Sequence, residues 1–199
     1  MCGRYFFLSI HRNNNTGSEL FDMIISLYGN VDSRDITPGM EAPVLIKKSG
    51  KYVFEQMEWG MESGNSKLII NARCENLRER PMFSGICDTQ RCIIPASGYY
   101  EWRKGDRQRF QFTSKNNPFG ILYFAGVYRF EGEVPHFTVI TRRPTPEVAK
   151  IHNRMPMILK DKASASRWLM GGNEAEFMND AIELNVSASG DEQLSMDFS

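Results

Sequence analysis

Apolar and polar positions alternate along this chain in short runs separated by turn-forming residues, a pattern of strands rather than of long helices. Residues 5–8 read as an opening strand. Pro43-Val44-Leu45-Ile46-Lys47 and Tyr52-Val53-Phe54-Glu55-Gln56-Met57 face each other across Ser49-Gly50, a hairpin signature. Residues 68–73 are predicted as an apolar strand that ends abruptly in polar residues, and 91–95 as another. Residues 98–103 are predicted to turn at Lys104-Gly105-Asp106 into 109–112, and strands follow at 122–128 and 136–141. Helical spacing is confined to a few places. Leu20, Met23, Ile24 and Leu27 recur at helical intervals after a polar loop at 12–17, and 75–87 reads as short helix and loop. Thr145-Pro146-Glu147 opens a short helix leading to His152, and a last helix is predicted over 161–170, stopped by Gly171-Gly172. The fold class that follows is α+β: a single domain with a mainly antiparallel, curled, barrel-like β-sheet and a few short helices. Strict strand–helix alternation, G-x-G-x-x-G and G-K-[ST] are all missing, which argues against a doubly wound nucleotide-binding fold.

At 199 residues the chain suits one domain, large enough to bury roughly 70% of its unfolded surface without staples. The formal charge of zero hides two unlike parts: residues 173–199 carry seven acidic and no basic residues, so 1–172 carry a net +7. A basic body, 1–172, with an acidic tail, 173–199, either solvated or packed on the domain, is the better description. Cys2, Cys74, Cys87 and Cys92 form no C-x-x-C pair and only three histidines could assist them, so neither a zinc site nor any other metal is expected. No membrane-spanning run and no signal-peptide pattern is present, and a cytoplasmic protein with reduced thiols is expected.

The most reactive candidate is Cys2 in Met1-Cys2-Gly3-Arg4-Tyr5. Removing Met1 leaves a 1,2-aminothiol, which condenses with an aldehyde through its amine and then closes through sulfur into a thiazolidine. The amine has a reference pKa of about 7.7–8.0 and the thiol about 8.5, so both nucleophiles are accessible at neutral pH. Glu101 alternates with Tyr100 and Trp102 and shares a face with Tyr99 and Arg103. Buried there, it would be raised toward pH 7 and suited to proton transfer. On a wet face it would simply pair with Arg103 or a cross-strand lysine. His152, in His152-Asn153-Arg154-Met155-Pro156, offers either proton transfer and phosphate contact or an ordinary helix C-terminal charge. Asn71 and Arg73 offer an amide and a guanidinium at a strand end, or plain turn chemistry.

Together these segments resemble the SOS-response-associated peptidase (SRAP), or abasic-site processing, family. Its motifs stand here as Met1-Cys2-Gly3-Arg4-Tyr5, Trp59-Gly60, Asn71-Ala72-Arg73 followed by Glu75, Arg91-Cys92-Ile93-Ile94-Pro95-Ala96, Gly98-Tyr99-Tyr100-Glu101-Trp102 and His152-Asn153-Arg154-Met155-Pro156, in the family's order. Two departures are Met61-Glu62-Ser63 after Trp59-Gly60, where the family usually has Leu-Ile-Pro, and the polar loop at Asn13 to Thr16. The resemblance implies a sensor that binds single-stranded DNA or its junction with duplex and crosslinks abasic sites through Cys2, after Met1 is removed by the protein's own peptidase activity. It implies catalytic roles for Cys2, Asn71, Glu101 and His152, and DNA contacts by Arg4, Trp59, Arg73, Thr141 and Arg154. No cofactor is required, no membrane is involved, and a monomer is expected. The residues alone also admit an N-terminal-cysteine amidohydrolase or peptidase, and a non-catalytic reader of modified DNA.

Overall fold

The computed structural model describes residues 2–7, 34–64, 67–115 and 120–189. The helix predicted from Leu20 to Leu27 and the loop before it lie outside them. The chain opens with β1 (Tyr5–Phe7), β2 (Arg34–Ile36), β3 (Glu41–Lys48) and β4 (Lys51–Trp59), followed by the short β5 (Met61–Glu62), β6 (Leu68–Ile69) and β7 (Asn71–Arg73). A 3-10 turn (Cys74–Asn76) and α1 (Pro81–Ser84) precede β8 (Arg91–Ala96), β9 (Gly98–Trp102), β10 (Arg109–Ser114), β11 (Leu122–Glu131) and β12 (Val134–Arg142). After α2 (Pro146–Ala149) come β13 (Met155–Pro156), β14 (Ile158–Leu159), α3 (Lys162–Leu169) and β15 (Leu184–Ser189).

Five of these strands, in the order β12-β4-β3-β8-β11, close on themselves because β11 also pairs with β12. Closure removes the exposed edges of an open sheet. The β3–β4 hairpin turns through Ser49 at φ 51° and Gly50 at φ 81°, a pair of left-handed residues whose twist matches the strands they join. Pairing is antiparallel except where β4 and β7 run parallel to β12. The strand predicted over 68–73 is broken at Ile70, whose carbonyl accepts from both Val139 N and the Trp59 indole, so that β6 pairs with β5 and β7 with β12.

A second sheet, β15-β10-β9-β1-β2, lies beside the barrel. It brings the amino terminus to β9: Tyr5 faces Tyr99, Phe6 faces Gly98, and Tyr100 N donates to Arg4 O at 3.0 Å, so the ladder leads from Glu101 toward Cys2. Gly98 permits this approach. A Cβ there would lie 2.4 Å from the Phe112 carbonyl and 2.5 Å from the Phe6 ring. Gly98→Ala is therefore expected to destabilise the fold by about 1–3 kcal/mol, the usual range for overpacking, as read by chemical denaturation.

The core between sheet and barrel is aromatic. Tyr99 stacks on Phe112 at 4.7 Å, Tyr5 meets Trp59 at 5.1 Å, and Phe124 sits edge-on to both tyrosines. Trp59 belongs here. Its ring is wholly buried, stacks on Phe137 and donates its N–H to Ile70 O at 3.0 Å, so it packs in the core.

The acidic segment after Gly172 is built into the fold as far as the structure describes it. Glu174 is buried and paired with Arg91 at 2.6 Å and Arg78 at 3.0 Å, Phe177 is buried against Trp168, and β15 pairs with β10 along its whole length. Asp161 caps α3 by accepting from Ser164 N at 2.7 Å, and Gly171 at φ 86° follows its end, as the sequence predicts. Among the described residues no helix is long and apolar enough to cross a membrane.

Candidate active site

Four residues from distant parts of the sequence meet where β1 enters the second sheet. Cys2 is fully buried, and Asn71, the first residue of β7, donates its Nδ2–H to the Cys2 carbonyl at 2.8 Å. That bond ties the start of the chain to a strand fixed in register by β12, where Asn71 faces Val139. The Cys2 thiol lies 3.9 Å from Arg4 O, and burial, reinforced by the charge of Glu101, pushes its pKa far above the ordinary range, so it is held as a neutral thiol. The Asn71 Oδ1 is buried with no partner among the described residues, an acceptor available to a ligand.

Glu101 is 3% exposed. Its strand places it with Tyr99 on the core side while Tyr100 and Trp102 face the other way, and Arg103 pairs with Asp106 at 3.1 Å instead of with Glu101. Burial raises the Glu101 pKa to about 7, against the opposing pull of the positive amino terminus. A carboxyl in that range divides nearly evenly between acid and base at neutral pH.

His152 lies beside it, Nδ1 3.9 Å from Glu101 Oε1. Helix α2 stops at Ala149, short of the predicted extent, with His152 N still donating to Val148 O; Pro156 keeps Met155 extended. The imidazole is half-buried, and burial, followed by the positive amino terminus, lowers its pKa. The Arg154 N–H and the Arg154 carbonyl both lie 3.1 Å from Nδ1, which can accept from the first or, when it carries a proton, donate to the second.

The residues expected to hold DNA divide into two groups. Arg73 is exposed at the end of β7, and Arg4 packs 5.6 Å from the centre of the Trp102 ring, 3.6 Å from Asp35. Both sit at the rim. Thr141 is wholly buried, its hydroxyl donating to Ala72 O at 3.2 Å and tying β12 to β7. Arg154 is also not a free cation, since Glu75 grips its guanidinium through both oxygens at 2.6 and 2.8 Å and the Thr141 carbonyl accepts at 2.7 Å. Sequence reading missed Trp102. It is half-buried beside Arg4, and its indole N–H is without a partner among the described residues, whereas Trp59 is interior. The signal available was alternation itself: Trp102 lies on the face of β9 opposite Glu101.

Among the described residues, one cluster of three metal-ligating side chains occurs, Cys87, Asp88 and Glu174, and Arg78 and Arg91 already neutralise both carboxylates.

Comparison with known proteins bears on the fold and the family. The chain is similar to the abasic site processing protein YobE of Bacillus subtilis, 29% identical over 191 residues that cover 85% of this chain and 82% of the relative. It is 30% identical to YoqW of the same organism, over 85% of this chain and 80% of that one. The abasic site processing protein HMCES of Pongo abelii is 26% identical over 66% of this chain and 52% of its own length. A crystal structure of a protein from Bordetella bronchiseptica superposes with a TM-score of 0.73 at 21% identity, covering 95% of this chain and all of that one, which establishes the shared fold. The model of the SOS response associated peptidase (SRAP) family matches residues 1–195, and the chain belongs to that family.

Proposed function

We propose that this protein processes abasic sites in DNA, forming a covalent adduct between Cys2 and the opened sugar once Met1 has been removed. The observation that carries the proposal is the convergence of Cys2, Asn71, Glu101 and His152, four residues spread over 150 positions, on one buried point at the amino terminus. The names of the relatives support the lesion, and the chemistry of a 1,2-aminothiol supports the route.

An abasic deoxyribose equilibrates with an open-chain aldehyde. The Cys2 amine attacks that carbon, a proton moves to the carbonyl oxygen, and loss of water gives an imine. The thiol then adds across the C=N bond: the C–S bond forms, the sulfur's proton leaves, and nitrogen takes up a proton, closing a thiazolidine with one water released overall. Glu101, poised near pH 7, receives and returns these protons, and His152 shares in the transfers. Asn71 holds the chain start by its amide N–H and offers its free Oδ1 to the opened sugar. Ring closure removes the imine that drives β-elimination, so the strand is shielded from cleavage.

Arg4 and Arg73 supply phosphate contacts at the rim, and Trp102 offers the aromatic surface that Trp59 cannot. Single-stranded DNA, alone or at a junction, fits a site reached by an extruded sugar rather than by a stacked base pair. Protection of stalled strands in the SOS response, and removal of Met1 by the protein itself, belong to the same reading.

The test is incubation of the mature protein with single-stranded oligonucleotides that differ only in one abasic site. A denaturation-resistant adduct with the abasic strand alone is expected. Repeated turnover of an amide substrate with no adduct would instead favour the N-terminal-cysteine hydrolase, and equal, non-covalent binding of both strands would favour a reader.

A further inference from the structure

The clamp on Arg154 does more than occupy a cation. Arg154 N–H and Arg154 C=O both lie 3.1 Å from His152 Nδ1. The neutral ring accepts from the N–H, and the protonated ring turns Nδ1 into a donor toward the carbonyl. The backbone of one residue, through the two peptide groups that flank its Cα, thus serves both protonation states, provided it stays in place. Its side chain anchors it on one side, donating two bonds to Glu75, in the turn directly after β7, and one to the Thr141 carbonyl of β12, while Met155 pairs with Arg142 on the other. The Arg154 side chain is 11% exposed and that of Glu75 28%, and the two-pronged, charge-assisted geometry is what strengthens the clamp.

We propose that Glu75 is a positioning residue of the site, acting through Arg154 to hold the backbone N–H and carbonyl against which His152 gains and loses its proton. The inference rests on the reading that His152 moves protons in this site. The charged groups around it are Glu101 from β9, the amino terminus ahead of β1, and Arg154 on its own loop; Arg143, just after β12, acts on Glu75 through its charge. Removing the Glu75 charge would leave Arg154 as an uncompensated cation beside the imidazole and disfavour its protonated form. Glu75 and Arg154 then act as a pair on His152.

Imidazole ¹⁵N–¹H spectra of the full chain, recorded across pH for wild type and Glu75→Gln, test this together with the rate of adduct formation on an abasic oligonucleotide. For Glu75→Gln a lower His152 titration midpoint is expected, with adduct formation slowed about tenfold, less than the 10²–10⁴ of a whole acid–base group. Affinity for an intact single strand should be unchanged. An unaltered His152 midpoint with an unaltered rate overturns the proposal. So does tighter binding of intact strands with His152 unmoved, which would make Glu75 a competitor for phosphate. Should Glu75→Gln fail to fold, Arg154→Lys keeps the charge but loses the two-pronged grip, and a wild-type rate there overturns the proposal equally. If wild type itself forms no adduct, the abasic-site reading fails, while the histidine spectra still decide what Glu75 governs.

Discussion

Cys2→Ala is expected to bind abasic single strands as wild type does and to form no denaturation-resistant adduct. The effect should be complete, because the substitution removes the sulfur that closes the ring while leaving, after loss of Met1, the amine that opens the reaction. The imine should then persist. Borohydride should trap it as a stable amine, and without borohydride the abasic strand should be nicked by β-elimination. The substitution thus converts a shielding protein into a cleaving one, a result that neither a hydrolase nor a reader would give. The fold should survive, since the Cys2 carbonyl, which Asn71 holds, belongs to the backbone, although deleting a buried thiol leaves a small void. Denaturing gels with and without reductant separate these outcomes, and an undiminished, heat-stable adduct from Cys2→Ala would contradict the mechanism.

Glu101→Gln should have the second largest effect, with opposite signs on activity and stability. Removing the proton carrier is expected to slow adduct formation at least about 100-fold at pH 7. Stability should change the other way. The Glu101 pKa is about 7 in the folded chain against a reference of 4.5, so between those values the native state binds more protons than the unfolded one. Its contribution to stability is therefore present below about pH 4.5 and is lost as pH rises toward 7. Glutamine, always neutral, has no such loss. The variant should match wild type near pH 4 and exceed it at pH 8 by an amount on the order of 3 kcal/mol at most, from 1.36 kcal/mol per pKa unit. Thermal unfolding at the two pH values reads this directly. A wild type whose stability rises from pH 5 to pH 8 relative to Glu101→Gln would mean that the carboxyl is paired and ionised, and not the proton carrier described. That activity and stability pull apart at this residue is the usual mark of a group buried for function.

Most of the strand framework was legible because it is written locally. Ser49-Gly50 and Lys104-Gly105-Asp106 mark hairpins by turn chemistry, and alternation places Glu101 on the core side of its strand with Tyr99. The capping of α3 by Asp161 and its stop before Gly171 were equally plain. What sequence could not give was partner choice. The break at Ile70 arises because one carbonyl serves both Val139 and Trp59, residues 69 and 11 positions away. Trp59 and Trp102 look alike in sequence, and only barrel closure puts the first inside. The acidic segment reads as solvated by composition, yet Glu174 finds two arginines, Phe177 finds Trp168, and β15 finds the edge of β10.

The site was legible in a different way. Cys2, Asn71, Glu101 and His152 were picked as reactive or polar residues at strand and helix ends, and the family resemblance grouped them. Their mutual geometry depends on the pairing of β1 with β9 and of β7 with β12, neither of which any local pattern specifies. Arg154 illustrates the limit. An arginine beside the site invites assignment to a phosphate, but Glu75, 79 positions earlier, already holds it.

The most direct measurement is mass spectrometry of the protein after incubation with a single-stranded oligonucleotide bearing one abasic site, followed by sequencing of the crosslinked peptide. A mass equal to protein lacking Met1 plus oligonucleotide less one water, with the modification on Cys2 and no free thiol or amine at that residue, is the predicted result. A crosslink on any other residue, or a Met1-free chain left unmodified beside excess abasic strand, would contradict it.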